Sequence, residues 1–380
     1  MKKVELIATA TFGLEAIVKR EVIDLGFEDI KTDNAMVTFK GDLSSIPKAN
    51  LWLRCADRVL LKLGEFNATT FDQLFEQTKA LPWEEWIPED GKFTVTGKSI
   101  NSKLFSVPDC QSIVKKAIVE KLKKKYNVTW FSETGPEYTV QVSLLKDKAI
   151  LTIDTSGTGL HKRGYRENSV QAPIKETLAA ALVKLSFWNK DRLLLDPFCG
   201  SGTLPIEAAM IGRNIAPGLN RSFASEKWSI FKPEIWKNAR VDALKSIDQN
   251  VQLKIKGTDI DPEAIEIAKE NAFEAGVDDC IEFDQKPLGE LDFKDEYGVI
   301  ICNPPYGERL SEVEEVEKLY TSMGNYFENL NTWSKYIITS FEEFENFYGK
   351  KADKKRKLYN GRIKVDYYQY FGPRPPKSIT

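Results

Sequence analysis

The sequence is poor in the residues on which many enzymes depend. It holds a single histidine, His161. That excludes H-E-x-x-H and histidine-cluster metal sites, and leaves a Ser-His-Asp arrangement only one candidate base. Cys55, Cys110, Cys199, Cys280 and Cys302 are odd in number and widely scattered, with no C-x-x-C pair. Their pattern speaks against a disulfide framework or a structural zinc and fits a reducing compartment, so a cytoplasmic protein without a metal is expected. No run of about 18 apolar residues occurs, so no membrane span is expected. Two lysines near the N-terminus resemble the start of a signal peptide, but Glu5 and Glu15 break any apolar region behind them. Charge of one sign is lacking too: the formal net charge is −2. An anionic partner would therefore have to be met by local basic stretches. Three exist, KKAIVEKLKKK (115–125), HKRGYR (161–166) and KKADKKRK (350–357), and for each the plain alternative is a solvated face.

What is present is the composition of a soluble globular chain, 42% apolar and 29% charged over 380 residues, enough for two or three domains. Residues 4–65 alternate strand and helix signals: ELIATA as a strand, then Leu14, Ile17, Val18, Val22 and Leu25 at helical spacing up to Gly26. AMVTFKGD, a helix near 46–53 and RVLLKLGEF complete a small α+β unit. Residues 70–155 make a second. TFDQLFEQTKAL is helical up to Pro82, KFTVTGKS is a strand, and CQSIVKKAIVEKLKKKY is an amphipathic helix with Ile113, Val114, Ile118, Val119 and Leu122 on one side. EYTVQVSLL and KAILTIDTS form a hairpin across a polar turn at 146–148, and Gly157 and Gly159 mark a boundary.

Beyond about 165 the texture changes. An alanine- and leucine-rich helix precedes LLLD, a strand of the kind buried on both faces. KIKGTD, IEFDQ, GVIIC, YIITS and KVDYYQYF come next as strands with helices between them, which predicts a doubly wound, mostly parallel α/β sheet. Residues 213–250, aromatic and basic (Arg221, Phe223, Trp228, Phe231, Trp236), read as an insertion, and residues 342–360 as a charged interruption. The tryptophans Trp83, Trp86, Trp228 and Trp236 read as core, with stacking on unpaired bases open for the two in the insertion.

Three motifs carry chemistry. Asp196-Pro197-Phe198-Cys199-Gly200-Ser201-Gly202-Thr203 succeeds LLLD and opens a helix. Its glycines let backbone N–H groups approach a ligand, and the helix N-terminus favours a carboxylate or other polar group. Cys199 is a small loop residue with no base nearby to make it a nucleophile. Asp259, in GTDID, ends the next strand, where an acid can accept both ribose hydroxyls of a nucleoside cofactor; the insertion explains its distance from the loop. Asp261 reads as the cap of the following helix, with Pro262 in its first turn. Asn303-Pro304-Pro305-Tyr306 comes after GVIIC, and two prolines force the chain off the sheet at its carboxyl edge. An Asn oxygen and a proline carbonyl can each accept a hydrogen of an amino group while Tyr306 stacks on the base. His161 reads as a surface or packing residue.

In this order D-P-F-C-G-S-G-T, G-T-D-I-D-P and N-P-P-Y resemble the cofactor and target-amine motifs of Rossmann-like class I methyltransferases dependent on S-adenosylmethionine. H-K-R-G-Y-R with A-P-I-K-E-T-L-A-A-A-L, and the 70–155 pattern, are similar to THUMP-containing RNA methyltransferases. The likeness is greatest to the bacterial guanine-N2 methyltransferases of large-subunit ribosomal RNA, with one methyltransferase half where some members carry two. The resemblance implies a ferredoxin-like domain over 1–65, a THUMP RNA-binding domain over 66–156 and a methyltransferase domain over 157–380 containing the 213–250 insertion. It implies that Asp196, Pro197, Cys199, Gly200, Ser201, Gly202 and Thr203 hold the methionine and ribose parts of S-adenosylmethionine. Asp259 would bind the ribose hydroxyls, and Ala172, Pro173 and Ile174 would line the methionine side. Asn303, Pro304, Pro305 and Tyr306 would hold the target base. RNA would meet Lys115, Lys116, Lys123, Lys124, Arg163, Arg166, Lys354, Lys355 and Arg356. One departure stands out: where the family carries an acid for the cofactor's adenine this chain has Lys286-Pro287, with backbone or Asp284 as substitutes.

The expected reaction is direct methyl transfer to a flipped-out base, with no metal and no covalent intermediate. N-P-P-Y does not separate guanine N2 from adenine N6, nor ribosomal RNA from tRNA. A rival of another class is an RNA-binding assembly factor with a vestigial cofactor fold, and a DNA methyltransferase leaves the first 155 residues without a role.

Overall fold

The computed structural model describes residues 2–166, 174–291, 294–306 and 313–376. The chain divides into two compact units, one of Met1–Ala10, Lys19–Leu160 and Ser222–Asp242, the other of Thr11–Val18, His161–Arg221 and Ala243–Thr380. Among the described residues no helix is long and apolar enough to cross a membrane.

The strands of the first unit are β1 (Lys3–Ala10), β2 (Glu28–Asp33), β3 (Met36–Asp42), β4 (Ala56–Asn67), β5 (Lys92–Ile100), β6 (Glu137–Leu145) and β7 (Lys148–Asp154). Helices α1 (Glu15–Asp24), α2 (Ser45–Trp52), α3 (Phe71–Ala80) and α4 (Val107–Tyr126) punctuate them. The two α+β patterns read from the sequence share one seven-stranded sheet, order β2-β3-β1-β4-β7-β6-β5, joined by antiparallel pairing of β4 with β7. Thr70 caps α3 by accepting from the Gln73 N–H. The β6–β7 turn uses Lys146 and Asp147 at φ 51° and 64°, the two left-handed positions that a tight two-residue hairpin demands. Strand β2 escapes the sequence reading because it is charged and almost wholly exposed; it is an edge strand, and charge on an edge deters pairing with other chains.

Residues 222–242 depart from the sequence reading, since they pack in the first unit rather than with the fold into which they are inserted. Trp228 stacks on Tyr138 at 4.9 Å between ring centroids, and its indole N–H donates to the Glu137 carbonyl at 3.2 Å. Phe223 and Trp236 stack at 5.2 Å. Phe223, Trp228, Phe231 and Trp236 are all buried, so the option that these tryptophans stack on unpaired bases is corrected: they are core.

The second unit has the alternation expected of a doubly wound fold. Its elements are α5 (Glu176–Leu185), β8 (Leu194–Asp196), α6 (Thr203–Gly212), α7 (Pro233–Lys245, which begins in the first unit), β9 (Ile255–Asp259), α8 (Pro262–Glu274) and β10 (Ile281–Gln285). They continue as β11 (Val299–Cys302), α9 (Val313–Glu328), β12 (Ser334–Thr339), α10 (Phe344–Tyr348), β13 (Lys354–Asn360) and β14 (Ile363–Tyr370). The seven-stranded sheet runs β10-β9-β8-β11-β12-β14-β13, parallel from β10 to β12, with β14 antiparallel between β12 and β13. This is the Rossmann-like methyltransferase arrangement. On one face α9 and α10 cover Leu195, Ile300, Ile337 and Tyr368 with Tyr320, Met323, Phe327 and Phe344. The charged interruption expected over 342–360 holds β13, which is, like β2, a charged edge strand.

Candidate active site

β8, β9 and β11 are adjacent in the sheet and parallel, so their carboxyl ends bring Asp196, Asp259 and Asn303 to one edge. Two strand spacings cover about 10 Å, a span suited to a nucleoside with a neighbouring base. β8 is buried on both faces, and Asp196 at its end is 1% exposed. Its Oδ1 accepts from the Phe198 N–H at 3.1 Å. Burial pushes the Asp196 carboxyl well above the ordinary carboxylate range, and the nearby Asp259 adds to the rise. The loop then turns through Gly200 and Gly202, both left-handed at φ 51° and 80°, into α6. Pro197 and Cys199 lie within this turn, Ser201 is 3% exposed, and the Asn271 amide donates to the Ser201 carbonyl at 3.0 Å. Burial, with Asp196 and Asp259 behind it, drives the Cys199 thiol well above its usual range, away from the thiolate a nucleophile requires.

Asp259 faces the same loop. Its Oδ2 accepts from the Gly200 N–H at 2.8 Å and its Oδ1 from the Asp261 N–H at 3.1 Å, while the residue stays partly exposed. Each carboxylate oxygen keeps a further lone pair for a hydroxyl. Asp261 caps α8, accepting from the Glu263 N–H at 2.9 Å, as its position ahead of Pro262 implied. Asp284 pairs with Lys286 at 2.9 Å next to the end of β9. The left-handed loop, the helix N-terminus and the half-free carboxylate together suit a nucleoside that carries an amino-acid tail.

Past β11 the chain leaves the sheet through Asn303-Pro304-Pro305-Tyr306. Asn303 and Tyr306 are partly exposed, and the Tyr306 hydroxyl donates to Asn303 Oδ1. A residue that the motif reading missed supports the segment from below. Tyr320 of α9, fully buried, donates to the Pro305 carbonyl at 2.8 Å or shares its proton with Thr339 Oγ1, also at 2.8 Å. Val316, Tyr320, Met323 and Phe327 are the buried positions of α9. A tyrosine on such an apolar stripe is the signal that its hydroxyl has a specific partner.

The HKRGYR segment supplies a correction. Arg163 is 2% exposed and pairs with the fully buried Glu207, Nε to Oε1 at 3.2 Å, and the Tyr165 hydroxyl donates to the same Oε1 at 3.1 Å. Arg166 pairs with Glu176 at 3.1 Å and donates to the Ile174 carbonyl at 3.0 Å and to Thr203 Oγ1 at 3.2 Å. Neither arginine faces solvent as a phosphate-binding group must. A glutamate inside the apolar LPIEAAMIG helix is the sequence clue to this buried pairing, because an unpaired charge there is prohibitive. Ile174 is buried beside Arg166, whereas Ala172 and Pro173 lie outside the described residues. Lys115, Lys116, Lys123 and Lys124 are exposed on α4 of the first unit. Lys354, Lys355 and Arg356 lie on β13 of the second, where Lys355 pairs with Asp366 at 3.2 Å and Arg356 is only partly exposed.

Known proteins share this geometry and its sequence. Residues 5–60 match the RlmL ferredoxin-like domain, 68–154 the THUMP domain and 163–369 the RMKL-like methyltransferase domain. The chain is 56% identical to the YpsC protein of Bacillus subtilis (strain 168), which is named as an RNA methyltransferase, over 100% of this chain and 99% of the relative. It is 33% identical to the ribosomal RNA large subunit methyltransferase K/L of Syntrophotalea carbinolica (strain DSM 2380 / NBRC 103641 / GraBd1), over 99% of this chain and 55% of that protein. The chain thus spans about half the length of the K/L relatives it matches. A structure from Listeria monocytogenes str. 4b F2365, described as a predicted N6-adenine-specific DNA methylase, is 56% identical with a TM-score of 0.94, covering 98% and 97% of the two chains. SMU.472, solved in complex with SAH, is 47% identical with a TM-score of 0.93 and covers 99% of this chain and 100% of its own. With its three matched domains in order and its glycine loop, Asp259 and N-P-P-Y at one sheet edge, the chain belongs to the RMKL-like family of S-adenosylmethionine-dependent methyltransferases.

Proposed function

We propose that the protein transfers a methyl group from S-adenosylmethionine to the N2 amine of a guanine in large-subunit (23S) ribosomal RNA, in the cytoplasm. The observation that carries the reading is the placement of Asn303-Pro304-Pro305-Tyr306 one strand from the glycine loop, at the same edge of the sheet. The THUMP match and the K/L relatives support RNA as the substrate. Residues 1–65 and 66–156 serve recognition, by shape and phosphate binding, and residues 157–380 serve catalysis.

Bound S-adenosylmethionine supplies an electrophilic methyl on a sulfonium. The chain's part is to hold and orient. Asp196, Pro197, Cys199, Gly200, Ser201, Gly202 and Thr203 cradle the cofactor, Ile174 lines its methionine side, and Asp259 takes the ribose hydroxyls. Asn303 Oδ1 and the Pro304 carbonyl accept the two hydrogens of the base amine, which turns its electron pair toward the donor. Tyr306 stacks on the base and, as the base enters, surrenders its hydrogen bond to Asn303. Tyr320 fixes the Pro305 carbonyl, so the two acceptors do not drift. As the N–C bond forms and the S–CH3 bond breaks, the methylated nitrogen becomes acidic and releases its proton to water, so no strong general base is required.

The test is transfer of labelled methyl to unmodified 23S ribosomal RNA and, separately, to tRNA, followed by nucleoside analysis. N2-methylguanosine in ribosomal RNA is the expected product. N6-methyladenosine, or label in tRNA alone, overturns the substrate. Asn303→Ala is expected to abolish transfer while leaving cofactor affinity nearly unchanged, and unchanged turnover would remove Asn303 from the mechanism.

A further inference from the structure

Behind the glycine loop lies a carboxylate that is only half satisfied. Glu176, the first residue of α5, is 1% exposed. Its Oε1 pairs with Arg166 at 3.1 Å, while its Oε2 is buried and has no hydrogen-bond partner among the described residues. Such an oxygen costs free energy unless a donor reaches it. The pair is tied to the cofactor loop itself. The guanidinium that holds Glu176 also donates to Thr203 Oγ1, on the first residue of α6, and to the carbonyl of Ile174. In the second buried pair, the charges of Arg163 and Glu207 balance each other.

From this juxtaposition we infer that Glu176 is a binding residue for the amino-acid end of S-adenosylmethionine, accepting a hydrogen bond from its α-ammonium at Oε2, with Arg166 as the positioning residue that holds the carboxylate in place. The chemistry fits each part. The α-ammonium is a compact cation with three donors, and Oε2 is an anionic acceptor already shielded from water, so the bond between them is charge-assisted. The N-terminus of α6, where the N–H groups and the helix dipole favour a negative charge, would hold the cofactor's α-carboxylate. Arg166 has its donors engaged by Ile174, Thr203 and Glu176, so it orients the seat and does not occupy it. A lysine there carries the same charge and lacks the planar fork that reaches three acceptors at once. The inference rests on S-adenosylmethionine as the cofactor and adds the residue that recognises its amino group.

The deciding experiment is a calorimetric comparison of two ligands, S-adenosylhomocysteine and 5′-methylthioadenosine, which keeps the adenosine and lacks the amino-acid end. In Glu176→Gln the affinity for S-adenosylhomocysteine is expected to fall about tenfold or more, as loss of a charge-assisted hydrogen bond implies, with that for 5′-methylthioadenosine kept within about twofold. Arg166→Lys is expected to show the same selectivity with a smaller loss. Equal weakening of both ligands would reduce the pair to a structural prop and overturn the inference, as would unchanged affinity for S-adenosylhomocysteine. If either variant fails to fold, the unsubstituted protein decides the matter with S-adenosylhomocysteine and its deaminated analogue. A loss of about tenfold for the analogue supports the ammonium bond, and equal affinities refute it. Should the unsubstituted protein bind neither adenosine ligand, the cofactor reading itself falls and takes the inference with it.

Discussion

Gly202→Ala is the substitution whose cost the structure constrains most tightly, because a second glycine serves as its control. Gly202 has φ +80°, and a Cβ added there would lie 3.0 Å from Ala268 Cβ and 3.1 Å from Phe283 Cζ. Gly276, just past the end of α8, has φ +68° with nothing within 4 Å of an added Cβ. Alanine at either site carries the left-handed penalty of about 1–2 kcal/mol. Both recover about 0.4–1 kcal/mol from a less flexible unfolded chain. Only at Gly202 does overpacking add about 1–3 kcal/mol. The neighbours there have no room to yield: Ala268 sits in a buried turn of α8, and Phe283 belongs to β10 beneath the loop. Gly202→Ala should therefore be less stable than Gly276→Ala by about 1–3 kcal/mol, measured by urea unfolding with the tryptophan signal. It should also bind S-adenosylhomocysteine more weakly by calorimetry, since the loop N–H groups move with the strain, whereas Gly276→Ala binds normally. Equal stabilities, within about 0.5 kcal/mol, would mean that the loop accommodates a methyl group freely and that close packing is not why glycine stands there.

Tyr320→Phe removes the donor to Pro305 and is expected to lower kcat about threefold to tenfold, in line with a lost net hydrogen bond, with the KM for S-adenosylmethionine unchanged; a change confined to KM for the cofactor would contradict the assigned support. Burial, followed by the charges of Lys175, Lys162, Arg163 and Arg166, lowers His161 from 6.5 to about 4. The fold thus favours the neutral imidazole, so its contribution to stability is whole above pH 6.5 and is lost as pH falls from 6.5 toward 4, a slope that His161→Gln should flatten in pH-dependent melts. Replacing the exposed Lys123 and Lys124 together by glutamate should weaken RNA binding and reduce the slope of log affinity against log salt by about 0.7–0.9 for each phosphate no longer neutralised; an unchanged slope would take α4 out of the RNA surface.

The parts of this molecule legible in its sequence are those with strong local requirements. LLLD, the two left-handed glycines and the paired prolines after GVIIC each dictate a backbone path, and in order they place the glycine loop and the N-P-P-Y segment at one sheet edge. Charged residues mislead in both directions. In β2 they hide an edge strand because alternation vanishes where neither face is buried, and in β13 because lysines and an arginine fill the strand up to its one fully buried residue, Leu358. In HKRGYR they suggest a solvent-facing basic patch, whereas Arg163 and Arg166 find Glu207 and Glu176, partners on separate helices that no local window reveals. Tyr320 is invisible for a related reason: its value lies in which carbonyl its hydroxyl meets, and only the packing of α9 decides that.

The place of residues 222–242 bears on the order in which this chain can mature. Ribosomal synthesis is vectorial, and Tyr138 emerges long before Trp228, the ring that covers it. Ser225, which closes on the Thr155 carbonyl at 2.8 Å, arrives equally late. The first unit therefore waits, with an aromatic surface uncapped, until β8, the glycine loop and α6 have already left the ribosome. Its last piece is encoded in the midst of the second unit, so the amino-terminal part is no detachable module. A fragment ending at residue 160 should expose apolar surface and associate, and adding the 222–242 peptide in trans should restore it. In this chain the first unit matures only after synthesis of the second has begun.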